Sequence, residues 1–435
     1  KERIGNLVDK DLADRLYMGT FHSVFSRILR AEAQRIGYNS NFTIYDETDS
    51  RSLLKSIIKT LGLSDKDYKP STVHSIISMA KNQLVGADAF AVSNGGQSGL
   101  KGAKLKAVSQ IYAAYQARCR QANAMDFDDL LVNTFRLFNE NADIRNKYAE
   151  RFQYILVDEY QDTNFVQVAI VKLLTAKHQR ICVVGDDYQS IYSFRGASID
   201  NILDYQKKFD NVQVFKLERN YRSTRKIVEA ANSLMKHNAR QIPKDVYSEE
   251  SEGAKISYRP CYSDKEEAMV VVKEIKKLKR SQSFGYDGFA ILYRTNAQSR
   301  SFEDELRKSA IPYKIFGGLS FYQRKEIKDI IAYFRLVANP NDEEAFKRII
   351  NYPARGIGGI TLMKIIDCAS TNEASLWDVI GNAARYNLDI NKGTAAKLTA
   401  FVELINGFIR DLAMSDAYTL GVKIIKESGI WADLA

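Results

Sequence analysis

Three short apolar runs in this chain each end in polar groups suited to phosphate chemistry. Tyr154-Ile155-Leu156-Val157 runs directly into Asp158-Glu159-Tyr160-Gln161-Asp162-Thr163-Asn164. Ile181-Cys182-Val183-Val184 leads to Gly185-Asp186-Asp187-Tyr188-Gln189-Ser190-Ile191-Tyr192-Ser193-Phe194-Arg195-Gly196-Ala197. A third run, Val212 to Leu217, is followed by Glu218-Arg219-Asn220-Tyr221-Arg222-Ser223. An Asp at a strand end can hold Mg²⁺, often through water, and an adjacent Glu can accept a proton from an attacking water. One Asp-Glu pair alone says little, because the start of a helix favours acids for electrostatic reasons. Three consecutive strand ends are a stronger signal, since ligands bind at the carboxyl edge of an open parallel sheet. Tyr192, Phe194 and Arg195 add aromatic faces beside a cation, which can stack any base at about 1–3 kcal/mol each.

The elements that must position these groups are alternating strands and helices. Helix-like stretches near 166–175 and 199–209 separate the three apolar runs, a pattern that predicts a parallel sheet covered on both faces. A second stretch repeats the plan, with predicted strands at 254–258, 289–293 and 313–316 and helices at 264–278 and 299–309. Two such units in series would create a cleft. The remainder reads as helical. Between Val24 and Arg151, Asp46 and Ser64 are candidate helix starts, and Gly86, Gly95, Gly96, Gly99 and Gly102 mark a loop over 85–104. From about Leu319 onward the pattern is helical again, with breaks at Asn339-Pro340 and at 353–359.

The 435 residues suggest about two to four domains, and 45% hydrophobic residues are enough for substantial cores. No apolar run reaches the roughly 20 residues of a membrane span. The start, Lys1 to Leu12, has no apolar signal core. Four scattered cysteines and four scattered histidines show no zinc spacing. These features predict a soluble cytoplasmic protein, and the net charge of +10 favours a polyanionic partner.

The three polar runs resemble the Walker B segment and the two following motifs of the UvrD/PcrA/Rep branch of superfamily 1 helicases. Thr20-Phe21-His22-Ser23 resembles that family's TFH motif beside single-stranded DNA. Ile291 to Arg300 (Ile-Leu-Tyr-Arg-Thr-Asn-Ala-Gln-Ser-Arg), Tyr313 to Asp329 and Arg355-Gly356-Ile357-Gly358 continue the likeness through nearly the whole chain. The resemblance implies an α/β fold: two tandem RecA-like parallel-sheet motor units, both incomplete, carrying two mainly helical insertion domains. Residues 1–23 and 152–218 would belong to the first motor unit and 219–316 to the second. Residues 24–151 and 317–435 would be their insertions.

The roles implied by the resemblance are specific. Asp158 would hold Mg²⁺, Glu159 would activate the hydrolytic water, Gln189 would contact the γ-phosphate of ATP, and Arg222 would add charge to it. Tyr221 would stack on adenine. Thr20, Phe21, His22, Tyr192, Phe194, Arg195 and Asn296 would line single-stranded DNA, and Arg355, Gly356 and Gly358 would meet duplex backbone. Phe194 stands where the family often has Trp. For His22 a capping or core role remains open, as does a plain helix–helix turn for 355–358. The Lys276, Lys277, Lys279 and Arg280 cluster reads as a solvated helix end.

The parent would be an ATP-dependent 3′–5′ helicase acting on single strands and on junctions with duplex, in a bacterial-type cytoplasm at the nucleoid. No glycine-rich loop ending in Gly-Lys-Ser/Thr occurs in the chain, and the family's last two motifs are also missing. The chain therefore reads as an internal segment without useful ATP hydrolysis and without tightly bound ATP or Mg²⁺. Two other readings compete. One is a nucleic-acid scaffold with a non-functional nucleotide site; the other is a two-metal nuclease on Asp158, Glu159, Asp162, Asp186 and Asp187. Gln189, Tyr221 and Arg222 have no role in a nuclease.

Overall fold

A computed structural model describes residues 2–92, 98–282, 284–317 and 321–434. Gly95, Gly96 and the predicted helical start at Leu319 lie outside the described residues. The chain divides into two units. The first comprises 1–215, 240–243 and 329–435; the second comprises 216–239 and 244–328.

Helix α1 (Phe21–Glu32), α2 (Glu47–Thr60), α3 (Pro70–Asn82), α4 (Gly102–Gln121) and α5 (Phe127–Glu140) are the main helices of the first unit ahead of its parallel strands. Their starts are chemically marked. Asp46 caps α2 in a reciprocal box with Asp49, and Asp126 caps α5 in the same way with Asp129, satisfying amides that a helix leaves unpaired. Ser64 instead opens a turn, accepting from the Tyr68 amide through its carbonyl, and α3 begins at Pro70. Proline suits a first helical position because its missing N–H would have no partner there. Leu53, Leu54, Ile57 and Ile58 of α2 close a core against Ile111, Tyr112 and Tyr115 of α4. A two-residue parallel pair, β1 (Thr43–Ile44) with β2 (Ala124–Met125), ties the segment before α2 to the segment before α5.

Between α3 and α5 lies a buried charge cluster. Lys81, 1% exposed, donates to Asp126 at 2.6 Å and pairs with Asp129 at 2.7 Å. Burial alone would discharge Lys81, but the two flanking carboxylates hold it well above its usual range. Asp126 stays below the normal carboxylate range: Lys81 outweighs the opposing pull of burial. Asp129 is pushed up to about 7 by burial and by Asp126.

Two of the three strands predicted for the first sheet form a parallel ladder, β3 (Ile155–Val157) and β4 (Ile181–Val183), with Ile155 opposite Ile181 and Val157 opposite Val183. Helix α6 (Phe165–Thr175) connects them, capped by Asn164 in a box with Gln167. Its buried face (Val166, Ile170, Leu174) joins Phe25, Ile28 and Leu29 of α1 and Leu130, Leu131 and Leu137 of α5 in one core. The stretch predicted as one helix over 199–209 is two short turns, Asp200–Leu203 and Tyr205–Lys208.

In the second unit, α7 (Arg225–Met235), α8 (Asp264–Gln282) and α9 (Ser299–Lys308) match the helical pattern. The predicted strands at 212–217, 254–258, 289–293 and 313–316 carry no sheet ladder. A parallel strand has no local partner and pairs only with a neighbour delivered by a crossover. Here Phe215, Leu217, Tyr258 and Leu292 remain exposed. The nearest equivalent is a single parallel bridge between Arg219 and Tyr247.

The helices after 329 build a core of their own, in which Tyr333 and Leu336 of α10 (Lys325–Ala338), Phe346 and Ile349 of α11 (Glu343–Ile349), Ile365 of α12 (Gly359–Thr371), and Phe401 and Phe408 of α13 (Lys392–Asp411) come together. Within the first unit this core is joined to α2, α4 and the β1–β2 pair by polar contacts. Arg118 Nε donates to Glu343 at 2.9 Å, and Arg335 donates to Asp49 at 2.8 Å and to Asp342 at 2.9 Å. Asn339 Nδ2 reaches Thr43 Oγ1, the Ala122 carbonyl and the Asn123 carbonyl. The predicted breaks hold: α10 ends at Ala338 before Asn339-Pro340, and α12 starts at Gly359.

Replacing Lys81 by Met leaves Asp126 and Asp129 without their counter-charge, a change that costs about 3–5 kcal/mol. Both carboxyls then move up, so their stabilising protonated form is lost as pH rises. The K81M urea midpoint should fall well below wild type at about pH 8 and recover part of the gap at about pH 5. Equal midpoints at the higher pH would contradict the buried-pair account.

Candidate functional site

Parallel register brings the ends of β3 and β4 out side by side. The ladder continues past the strands, with the Val184 amide donating to the Val157 carbonyl at 2.8 Å and the Tyr160 amide to the Val184 carbonyl at 2.9 Å. Asp158 and Glu159 therefore emerge next to Gly185 and Asp186. Both acids are exposed. Glu159 sits at φ 51°, in the left-handed region that disfavours a branched backbone with a Cβ. Such strain costs on the order of 1–3 kcal/mol and concentrates at functional turns.

Gln161 holds this turn. It is 1% exposed, and its amide nitrogen donates to Glu159 Oε2 at 2.8 Å while its amide oxygen accepts from the Asp186 backbone at 3.0 Å. A Cβ on Gly185 would lie 2.7 Å from that amide oxygen, so the close approach requires glycine. Asp186 Oδ2 in turn accepts from Gln189 Nε2 at 2.9 Å, and its Oδ1 accepts from the Tyr188 amide at 3.1 Å. The predicted general base and the predicted γ-phosphate sensor are thus linked through one buried glutamine and one aspartate. Gln161 lay in the run singled out from the sequence, but its bridging role depends on a contact with a residue 25 positions away.

Asp158 Oδ1 accepts from the Glu159 amide at 2.9 Å, which leaves Oδ2 for a hydrated cation. One exposed carboxylate fits Mg²⁺ that keeps most of its waters. The remaining acids are differently placed. Asp187 is buried and accepts from the Ile242 amide at 2.8 Å. Burial and the nearby Glu159 push the Asp162 carboxyl up. Among the described residues no three His, Cys, Asp or Glu side chains converge as a metal site.

Three residues beyond Gln189 the chain presents its aromatic loop. Tyr192 and Phe194 have ring centroids 6.0 Å apart, and the Arg195 guanidinium lies 5.2 Å from the first ring and 5.5 Å from the second. Phe194 is 66% exposed, so a stacking face is free. Thr20 caps α1, its hydroxyl accepting from the Ser23 amide at 3.3 Å. Phe21 points inward against the sheet cluster of Val157 and Tyr160. His22 packs edge-on against Phe127 at 5.6 Å, and burial pulls its pKa below the usual histidine value despite a backbone hydrogen bond at Phe127. Burial thus favours the uncharged imidazole at His22.

Tyr221, Arg222 and Asn296 belong to the second unit. Asn220 Oδ1 accepts from the Arg222 and Ser223 amides, both at 2.9 Å, and this turn projects Tyr221 and Arg222 into solvent. Arg219 lies 4.6 Å from the Tyr221 ring centre. Asn296 opens an exposed turn closed by the Thr295–Gln298 capping box.

Arg355 is turned inward. Its guanidinium donates to the carbonyls of Ile349, Tyr352, Pro353 and Ser428 and to the Tyr333 hydroxyl at 2.5 Å. That role is structural, and its donors are used within the protein. The neighbouring glycines behave differently. Gly356 has φ 69° with Lys397 Nζ 3.3 Å from its carbonyl, and Gly358 caps α12 with open space around it.

The chain resembles known proteins along most of its length. The UvrD/REP helicase N-terminal domain family matches residues 1–210, and the UvrD-like helicase C-terminal domain family matches 215–427. The chain belongs to the UvrD/PcrA/Rep family of helicases. Over 430 residues it is 40% identical to the ATP-dependent DNA helicase PcrA of Staphylococcus aureus strain Mu50, covering 99% of this chain and 57% of the relative. The PcrA proteins of Staphylococcus epidermidis and Leuconostoc citreum are 41% and 37% identical, with 99% of this chain and 58% and 56% of each relative covered. The chain thus spans somewhat over half the length of these relatives. Among the described residues no helix is long and apolar enough to cross a membrane.

Changing Glu159 to Gly should leave stability equal to wild type or up to about 1 kcal/mol higher, because strain is released as the Gln161 bond is lost. Asp158→Gly, at an unstrained position, should lower it by about 0.5–1 kcal/mol. Thermal melts of both variants test this; equal losses would show that Glu159 stores no strain.

Proposed function

We propose that the protein to which this chain belongs is an ATP-driven motor that moves 3′ to 5′ on single-stranded DNA and opens duplex at junctions. The observation that carries this reading is the short path from Glu159 through Gln161 and Asp186 to Gln189, three residues before the aromatic loop. On this reading Asp158 orients Mg²⁺ through water, and the ion neutralises charge on the phosphates. Glu159 accepts the proton of the attacking water. Gln189 registers the γ-phosphate, and its bond to Asp186 competes with that contact, so nucleotide occupancy alters the loop that carries Tyr192 and Phe194. Arg222 supplies a planar cation for spread phosphate charge, and Tyr221 a face for adenine. Thr20, Phe21 and His22 flank the single strand; Phe21 acts by supporting the sheet end. Asn296 contributes from the second unit, and the Gly356–Gly358 backbone contacts duplex phosphate.

On this reading the chain carries two RecA-like motor domains, 1–23 with 152–218 and 219–316, bearing helical insertions at 24–151 and 317–435. This polypeptide by itself acts differently. Its sequence holds no Gly-Lys-Ser/Thr phosphate loop, whose backbone amides and lysine would cradle the β- and γ-phosphates. It therefore binds single-stranded DNA without hydrolysing ATP at a useful rate.

Binding of a fluorescent oligo(dT) by the purified chain should weaken steeply with added salt, as counterion release requires. Phe194→Ala should weaken it by about 5- to 100-fold, the range of one lost base stack. DNA-stimulated phosphate release from this chain, or binding insensitive to salt and to F194A, would overturn the reading.

A further inference from the structure

The aromatic loop and the acidic turn share one neighbour that neither sequence run contains. Asn82, the last residue of α3, is half-buried beside the Lys81 charge cluster. Its amide nitrogen donates to the Ser78 carbonyl at 2.8 Å and to Asp128 Oδ1 at 2.9 Å, so its orientation is set from two helices, α3 and α5. Its amide oxygen accepts from Asn164 Nδ2 at 2.5 Å. Asn164 closes the 158–164 turn: its own oxygen caps α6 through the Gln167 amide, and the preceding Thr163 carbonyl accepts from the Ser198 amide at 3.0 Å. Asn164 also bridges to Ala197 across the start of that contact. Gly196, at φ 86°, lies against the same side chain, since a Cβ there would come within 3.6 Å of Asn82 Cβ and Cγ.

We infer that Asn82 is a positioning residue through which the first insertion sets the base-stacking loop 192–197 relative to the Asp158–Asn164 turn. The inference rests on the reading of Tyr192 and Phe194 as base-stacking groups and goes beyond it by placing their control in the insertion. The physical basis is directional. A primary amide with both donor and acceptor fixed has one orientation, so Asn82 transmits the position of α3 and α5 to Asn164. Asn164 is joined by backbone to both the acidic turn and the loop. Burial of Lys81, Asp126 and Asp129 beneath it makes α3 and α5 a rigid base for that contact.

Two variants separate this role from simple support. Asn82→Ala removes the whole junction. Asn164→Asp keeps the oxygen that caps α6 and puts an acceptor where the donor to Asn82 stood, so the unfolding midpoint and α3 exchange serve as its folding control. The probe is an oligo(dT) carrying 2-aminopurine, whose fluorescence is quenched by stacking. Both variants should bind about 3- to 10-fold more weakly, the worth of one hydrogen bond, and should show a smaller quench at saturation. Backbone amides of 192–198 should exchange faster in both, with α3 exchange and the unfolding midpoint of Asn164→Asp unchanged. The double variant should be no weaker than the worse single one, because both act through one bond. Wild-type quench and exchange in N164D, or additive losses in the double variant, would overturn the inference. A wild-type chain that binds no oligonucleotide would instead sink the base-stacking reading on which it stands.

Discussion

The acidic turn after β3 and the glutamine turn after β4 both depend on the parallel register of two three-residue strands. Ile155 opposite Ile181 and Val157 opposite Val183 bring out two polar turns at one edge, although they are separated by a helix of eleven residues. A single inter-strand hydrogen bond contributes only about 0.5–1.5 kcal/mol net, too little to hold so short a ladder by itself. Burial of Val157, Tyr160, Val168 and Val171 supplies the rest. With the register set, Gln161 can span from Glu159 to Asp186, and the left-handed turn at Glu159 is held against its own preference. A slip of one residue would turn Val157 outward and remove both contacts.

The insertion works by a different balance. Lys81, Asp126 and Asp129 are buried together, and burying charge is favourable only when every group meets a partner. Arg118 with Glu343, and Arg335 with Asp49 and Asp342, repeat that logic where the helices after 329 meet the first insertion. Such contacts add little net stability compared with apolar packing, but they permit few alternative arrangements. They make a defined base for Asn82 and hence for the loop it touches.

Local chemistry made much of the molecule legible. Asp46 and the strand-helix-strand order of 154–184 could be read directly, because caps and periodicity act within a few residues. The second unit shows the limit of that reading. Its apolar runs at 254–258 and 289–293 have strand composition but no ladder, since a parallel strand depends on partners distant in sequence. Arg355 shows a second limit: a cation beside glycines suggested an external phosphate contact, yet its donors close a turn among Tyr333, Tyr352 and Ser428.

By itself the sequence determined the family, the kind of chemistry at the strand ends and the helices that flank them. Residue type and short spacing carry that information: a carboxylate pair after an apolar run, a glutamine and aromatics after the next. Only the tertiary structure decided which groups meet. The Gln161 bridge, the inward Arg355, His22 packed on Phe127 and the Asn82–Asn164 contact each join residues far apart in the chain. Those distances are closed by core packing and strand register, which no local pattern encodes.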